Sequence, residues 1–126
     1  MDRCVLLVDD DASNRGFLER GLGYEGYRVL SARGGLEGLE LARRERPDLI
    51  LLDVMMPGLD GFAVAEALRA DGLEIPILFF SARDEPEVAE RAERMGAPLL
   101  VKPMPFAELL AELERVLGCA EVPRIP

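Results

Sequence analysis

The sequence predicts an α/β fold: a doubly wound (βα)5 domain whose five-stranded parallel sheet has the order 2-1-3-4-5. Three observations predict it. Short apolar runs recur about one βα unit apart, and each ends abruptly in polar or turn residues, as strands buried on both faces do. Helical amphipathic patterns fill the intervals between those runs. The second run is short and polar, which suits a sheet edge, whereas the first, third and fourth belong inside.

The first strand is Val5 to Val8, followed at once by Asp9, Asp10 and Asp11. Ser13 and Asn14 can start a helix that carries Phe17, Leu18 and Leu22 inward, with Gly21 and Gly23 as its end. Arg28 to Ala32, RVLSA, is the edge strand. Leu36, Leu39 and Ala42 then recur at helical spacing, and Pro47 stops that helix. Leu49 to Leu52 runs into Asp53, and Pro57, Gly58 and Gly61 break the chain before a helix begins at Phe62, with Ala65 and Leu68 inward. Asp71-Gly72 closes it. The fourth strand, Ile77 to Phe80, ends at Ser81, and Pro86 opens a helix with Val88, Ala92 and Met95 inward and Gly96 as its stop. Leu99 to Val101 is the fifth strand, ending at Lys102. Phe106, Leu109, Leu110, Leu113, Val116 and Leu117 form the most regular amphipathic helix of the chain.

Parallel pairing implies right-handed crossovers and helices on both faces. In such sheets ligands bind at the carboxyl ends of the strands, where strand order reverses. That point falls between the first and third strands, so Asp9, Asp10 and Asp53 should meet there.

A chain of 126 residues is one domain by size, and its apolar share of 49% fits a globular core. No apolar run approaches the length needed to cross a bilayer, and residues 1–8 do not form a secretion signal, so a cytoplasmic location is expected. Cys4 and Cys119 match neither a metal spacing nor a disulfide framework; Cys4 is expected to be a small core residue and both thiols reduced. A net charge of −9 and the absence of any basic cluster argue against direct nucleic-acid binding. The alternation in ARRERPD implies solvated helix faces. There are fourteen Arg and a single Lys, Lys102, which lies just past the fifth strand.

Two ionised carboxylates about 5 Å apart repel by about 3 kcal/mol at an effective dielectric near 20, so three in one crevice need compensation. Protonation or a hard divalent cation supplies it. Oxygen-only ligands and the absence of His favour Mg2+. Lys102 adds an ammonium and Ser81 a hydroxyl at the same edge. Metal, nucleophilic carboxylate, ammonium and hydroxyl together suit the uptake of a phosphoryl group, with Asp53 attacking.

With these residues in place the chain resembles the receiver domain of bacterial two-component response regulators, which has a flavodoxin-like, CheY-like fold. The resemblance covers about residues 3–117 and is carried by VDDD at 8–11, LLDVMMPGLDG at 51–61, FSA at 80–82 and KP at 102–103. It implies residues 1–117 as the receiver domain and 118–126 as a tail or the start of a linker. Asp53 would be the phosphoacceptor, Asp10 the direct Mg2+ ligand and Asp9 a ligand largely through water, with the Met55 carbonyl completing the protein set. Lys102 would pair with the phosphoryl group, Ser81 would be the switch hydroxyl, and the Lys102-Pro103 bond would be cis. Met55 and Arg83 would flank the site and tune access of water. The donor would be a phosphohistidine on a sensor histidine kinase or histidine phosphotransfer protein, and the product would control an effector domain or target protein. Such a domain is not an enzyme beyond its self-catalysed phosphorylation and dephosphorylation, and it would be a monomer or a weak phosphorylation-dependent dimer.

Two positions depart from that family's pattern. Leu99 stands where receivers usually carry an aromatic residue, and the segment Gly96 to Lys102 is one residue shorter than usual, with Pro98 inside it. Switching is therefore expected to proceed by a backbone shift of the 81–86 loop.

The strongest rival is a small haloacid-dehalogenase-like phosphatase using Asp9. The segment 9–13 fits its first motif, but the acidic pair after the lysine is missing and Asp53 is left unexplained. A flavin binder would want a charge-neutral phosphate loop where three acids stand. A plain α/β domain whose acids cap helices explains neither Lys102 nor the convergence.

Overall fold

The computed structural model describes residues 3–82 and 85–118. Its elements are β1 (Cys4–Val8), α1 (Ala12–Tyr24), β2 (Arg28–Ala32), α2 (Gly35–Glu45), β3 (Leu49–Asp53), α3 (Gly61–Ala70), β4 (Ile77–Ser81), α4 (Pro86–Arg94), β5 (Leu99–Val101) and α5 (Phe106–Gly118). All strands pair in parallel in the order β2-β1-β3-β4-β5. β2 is the polar edge that its composition implies.

Every residue of β1, β3 and β4 is buried, which is why these strands show no alternation in sequence. The alternation exists nonetheless in the packing. Leu6, Val8, Ile50, Leu52, Ile77 and Phe79 face a core completed by Leu39, Ala42, Phe62, Ala65, Leu68 and Ala92. Val5, Leu7, Leu49, Leu51, Leu78 and Phe80 face the opposite way, onto Leu18 and Leu22 of α1 and Leu109, Leu113 and Leu117 of α5. Each fully buried Leu or Phe contributes about 1.5–3 kcal/mol of transfer free energy, so both layers are needed. Cys4 is buried and free, as expected. Cys119 lies outside the described residues.

Several local expectations are corrected. α1 starts at Ala12, because the Asp11 carboxylate accepts the N–H groups of Ser13 and Asn14 and so caps the helix. It also runs past both glycines to Tyr24. Gly21 is internal because its helix packs closely on α5: a Cβ there would sit 2.6 Å from the Phe106 ring. Phe17 is 51% exposed and Leu36 73% exposed, so neither points inward. On α2 the inward positions next to Leu39 and Ala42 are Gly35 and Gly38. The helix after β3 begins at Gly61, capped by Asp60, whose carboxylate accepts the Ala63 N–H at 2.9 Å.

The exposed charge pattern behaves as solvated surface. Arg43 pairs with Asp71 at 2.6 Å and Arg44 with Glu45 at 3.2 Å, contacts of a kind that add little to stability. Among the described residues no helix is long and apolar enough to cross a membrane.

Candidate functional site

The carboxyl ends of β1 and β3 lie side by side, since Val8 pairs with Leu52. The residue following each strand partner is an aspartate. Asp9 continues the face of Val5 and Leu7, and Asp53 that of Leu49 and Leu51, so both carboxylates emerge on the α1 and α5 side. Asp9 is 4% and Asp53 5% exposed, while Asp10 faces solvent. Oxygens of the three carboxylates lie within 4.8 Å of one another. The predicted convergence is therefore present.

Lys102 follows β5 and is partly buried. Its Nζ lies 3.1 Å from Asp9 Oδ2 and 3.5 Å from Asp53 Oδ2, a lone ammonium between two acids. The cis Lys102-Pro103 bond is present. Ser81, fully buried, ends β4, and its carbonyl accepts the Lys102 N–H at 2.8 Å. On the strand's alternation its side chain continues the face of Ile77 and Phe79, the opposite layer from the two buried acids. Met55, 44% exposed, lies beside the site and donates its N–H to Asp53 Oδ1 at 3.2 Å. Arg83 and part of the 81–86 loop lie outside the described residues. Leu99 packs at the margin of the α2–α3–α4 core.

The two buried acids differ electrostatically. Burial pushes the Asp53 carboxyl up to about 6; Lys102 opposes this, the Asp9 charge adds to it, and the Met55 N–H opposes it. Burial pushes Asp9 up as well, but the Asp11 N–H, the Asn14 amide and Lys102 more than reverse it and hold Asp9 below its ordinary value. Asp9 is thus the settled anion, and Asp53 carries the unrelieved cost.

This donor set fits a hard divalent cation. It offers three carboxylates, no sulfur and no imidazole, and in Asp53 an acid whose burial, with the Asp9 charge, outweighs the pull of Lys102. Asp9, Asp10 and Asp53 are the side chains that could hold Mg2+.

Three contributors were missed in the sequence. Asn14 donates Nδ2 to Asp9 Oδ2 at 2.5 Å, Arg15 donates Nη1 to the Asp9 carbonyl at 2.7 Å, and the Phe80 ring lies under Lys102 with its centroid 5.1 Å from Nζ. Asn14 suggested only a helix start. Its five-residue spacing from Asp9 was the available signal, because a first helical turn directly after a strand folds back over the strand's end.

A doubly wound sheet with an acidic pocket and a lysine at its switch point defines the class: a domain with the receiver architecture. The chain matches the response regulator receiver domain over residues 5–114, and it belongs to that family. It is 45% identical over 116 residues to the response regulator MprA of Mycobacterium leprae, a match that covers 90% of this chain and 50% of that protein. The chain thus spans about half the length of the curated relatives it matches. Among solved structures it is similar to the Vibrio cholerae chemotaxis protein CheY4, with a TM-score of 0.86 and 36% identity over 92% of this chain and 99% of that one. It is also similar to the BeF3-activated N-terminal receiver domain of Klebsiella pneumoniae RstA, with a TM-score of 0.85 and 32% identity over 91% and 98% of the two chains. The phosphatase alternative finds no support among these relatives, and Asp9, its required nucleophile, is held by three donors.

Proposed function

We propose that this receiver domain, residues 1–117, takes a phosphoryl group onto Asp53 from a phosphohistidine and changes conformation in response. The observation that carries this is the meeting of the three carboxylates within 4.8 Å, with the Lys102 ammonium 3.5 Å from Asp53. The donor would be a sensor histidine kinase or a histidine phosphotransfer protein. The chain contains no His of its own.

Asp9, Asp10 and Asp53, with the Met55 carbonyl, would hold Mg2+. When bound, the ion would neutralise the clustered acids and the charge developing on the transferring oxygens. An ionised Asp53 oxygen attacks phosphorus as the phosphorus–nitrogen bond of the donor breaks, and the imidazole leaves with the bonding pair. The Met55 N–H orients the acceptor carboxylate through Oδ1. Lys102 exchanges its contact with Asp53 Oδ2 for one with the new phosphoryl oxygens. The Ser81 hydroxyl turns toward the added charge, and the loop that follows moves with it. With Leu99 at the usual aromatic position, that movement is carried by the backbone of the 81–86 loop.

The domain turns over no substrate beyond forming and hydrolysing its own acyl phosphate. It works in the cytoplasm, as a monomer or a weak phosphorylation-dependent dimer, and acts on an effector domain or target protein. Residues 118–126 are a tail or the start of a linker.

The test is incubation with acetyl phosphate and Mg2+, followed by intact-mass measurement. Wild type should gain one phosphoryl group and Asp53→Asn none. Persistent labelling of Asp53→Asn at another residue, or repeated turnover of phosphate esters by the wild type, would overturn the assignment.

A further inference from the structure

We infer that Asn14 is a positioning residue for the metal site: it fixes the orientation in which the Asp9 carboxylate is presented to Mg2+. The inference rests on the phosphoacceptor reading above and assigns a role to a residue outside the acidic set.

An ionised carboxylate accepts at about four lone-pair positions. In Asp9 three are taken. Oδ1 accepts the Asp11 N–H at 2.9 Å, and Oδ2 accepts both Asn14 Nδ2 at 2.5 Å and Lys102 Nζ at 3.1 Å. The Asn14 group facing Asp9 must be the NH2 end, because a carboxylate only accepts. Asn14 therefore determines which direction of Asp9 remains open.

Of the side chains that hold Asp9, Asn14 is the neutral one. Lys102 is shared with Asp53 and, on the reading above, with the arriving phosphoryl group, so it is not dedicated to Asp9. The Asp11 N–H fixes only one oxygen. Asn14 is half-buried on the first turn of α1, and its neighbour Arg15 grips the Asp9 carbonyl at 2.7 Å. One helical turn thus holds both the main chain and the side chain of Asp9. A neutral donor does this without adding positive charge that would oppose a cation. Outer partners of this kind typically change metal affinity by about 10–100-fold when removed.

The test uses the full chain and Mg2+ alone, titrated by calorimetry. Asn14→Leu keeps the approximate size and removes the donor. Its Mg2+ Kd should rise by about 10–100-fold. Asn14→Gln, which restores an amide donor, should recover much of the affinity. In acetyl phosphate labelling, Asn14→Leu should need more Mg2+ for its half-maximal rate yet reach the wild-type rate at saturating Mg2+. A structural defect would instead lower the rate at every concentration. Equal or tighter Mg2+ binding by a folded Asn14→Leu chain would overturn the inference. Should leucine prevent folding, Asn14→Ser, whose hydroxyl is too short to span the same gap, supplies the comparison. If the wild type itself binds no Mg2+, the metal-site reading fails; if the wild type binds and Asn14→Leu binds equally, only the positioning role fails.

Discussion

Replacing Asp53 by Asn should stabilise the metal-free domain. The carboxyl is pushed up to about 6 from an ordinary 3.8, first by burial and then by the Asp9 charge, against the pull of Lys102. Each pKa unit corresponds to about 1.36 kcal/mol, so the ionised form costs at most about 3 kcal/mol above pH 7. Asn keeps an acceptor for the Met55 N–H and leaves Lys102 its contact with Asp9 at 3.1 Å. A net gain of about 1–3 kcal/mol is expected, or a rise in Tm on the order of 5–15 °C for a domain of this size. The sign of the pH dependence follows from proton binding. The folded chain holds the Asp53 proton more tightly than the unfolded chain does, so wild-type stability falls as pH rises from about 4 to about 6 and stays low above that. Asp9 acts oppositely: its lowered pKa adds stability above the ordinary carboxylate range and loses it as pH falls, in both proteins alike. The assay is thermal and urea unfolding of both proteins in EDTA at pH 8 and near pH 4. The gap should be large at pH 8 and small near pH 4. A variant less stable than wild type at pH 8, or a gap indifferent to pH, would refute the electrostatic account.

Four further outcomes are expected. Saturating wild type with Mg2+ at about a hundred times its Kd should add about 2.7 kcal/mol of stability. Asp10→Asn, at an exposed position, should melt like wild type in EDTA and lose most of that Mg2+-dependent gain. Gly61→Ala would place a Cβ 2.4 Å from the Asp53 carbonyl oxygen, a backbone atom with little freedom to yield. It should cost about 1–3 kcal/mol in urea unfolding and slow labelling of Asp53; an unaffected variant would mean that the turn after β3 is looser than this packing implies. Lys102→Met keeps the stem and removes the ammonium, so the Asp53 carboxyl should titrate higher still, and labelling by acetyl phosphate at saturating Mg2+ should slow at least about tenfold. Labelling at the wild-type rate would remove Lys102 from the transfer step.

Much of the architecture was legible because it depends on local chemistry. A strand buried on both faces must be apolar throughout, so β1, β3 and β4 announced themselves, and the polar RVLSA segment could only be an edge. Pro57, Gly58 and Gly61 break the chain after Asp53 because of their own backbone preferences. The acids could be placed together because parallel strands bring their carboxyl ends to one edge. The errors fell where distant packing overrides local preference. Gly21 looks like a helix terminator until the Phe106 ring, far along the chain, fills the space a Cβ would need. Phe17 looks like core, yet it meets Phe106 edge-on at 5.9 Å at the surface and stays half exposed. Asp11 looked like one more acid of the cluster's run, and it is the helix cap.

The amino-acid order alone therefore determined the strands, their ends and which charged groups gather, since hydrophobic burial and backbone stiffness act on neighbours in the chain. The tertiary structure decided which layer each buried residue feeds, that Asn14, Arg15 and Phe80 join the pocket, and that Asp53 rather than Asp9 carries the raised pKa. Those outcomes depend on burial and on distances of a few ångströms, mostly between segments remote in sequence; only Asn14 and Arg15, five and six residues from Asp9, had a local spacing to signal them.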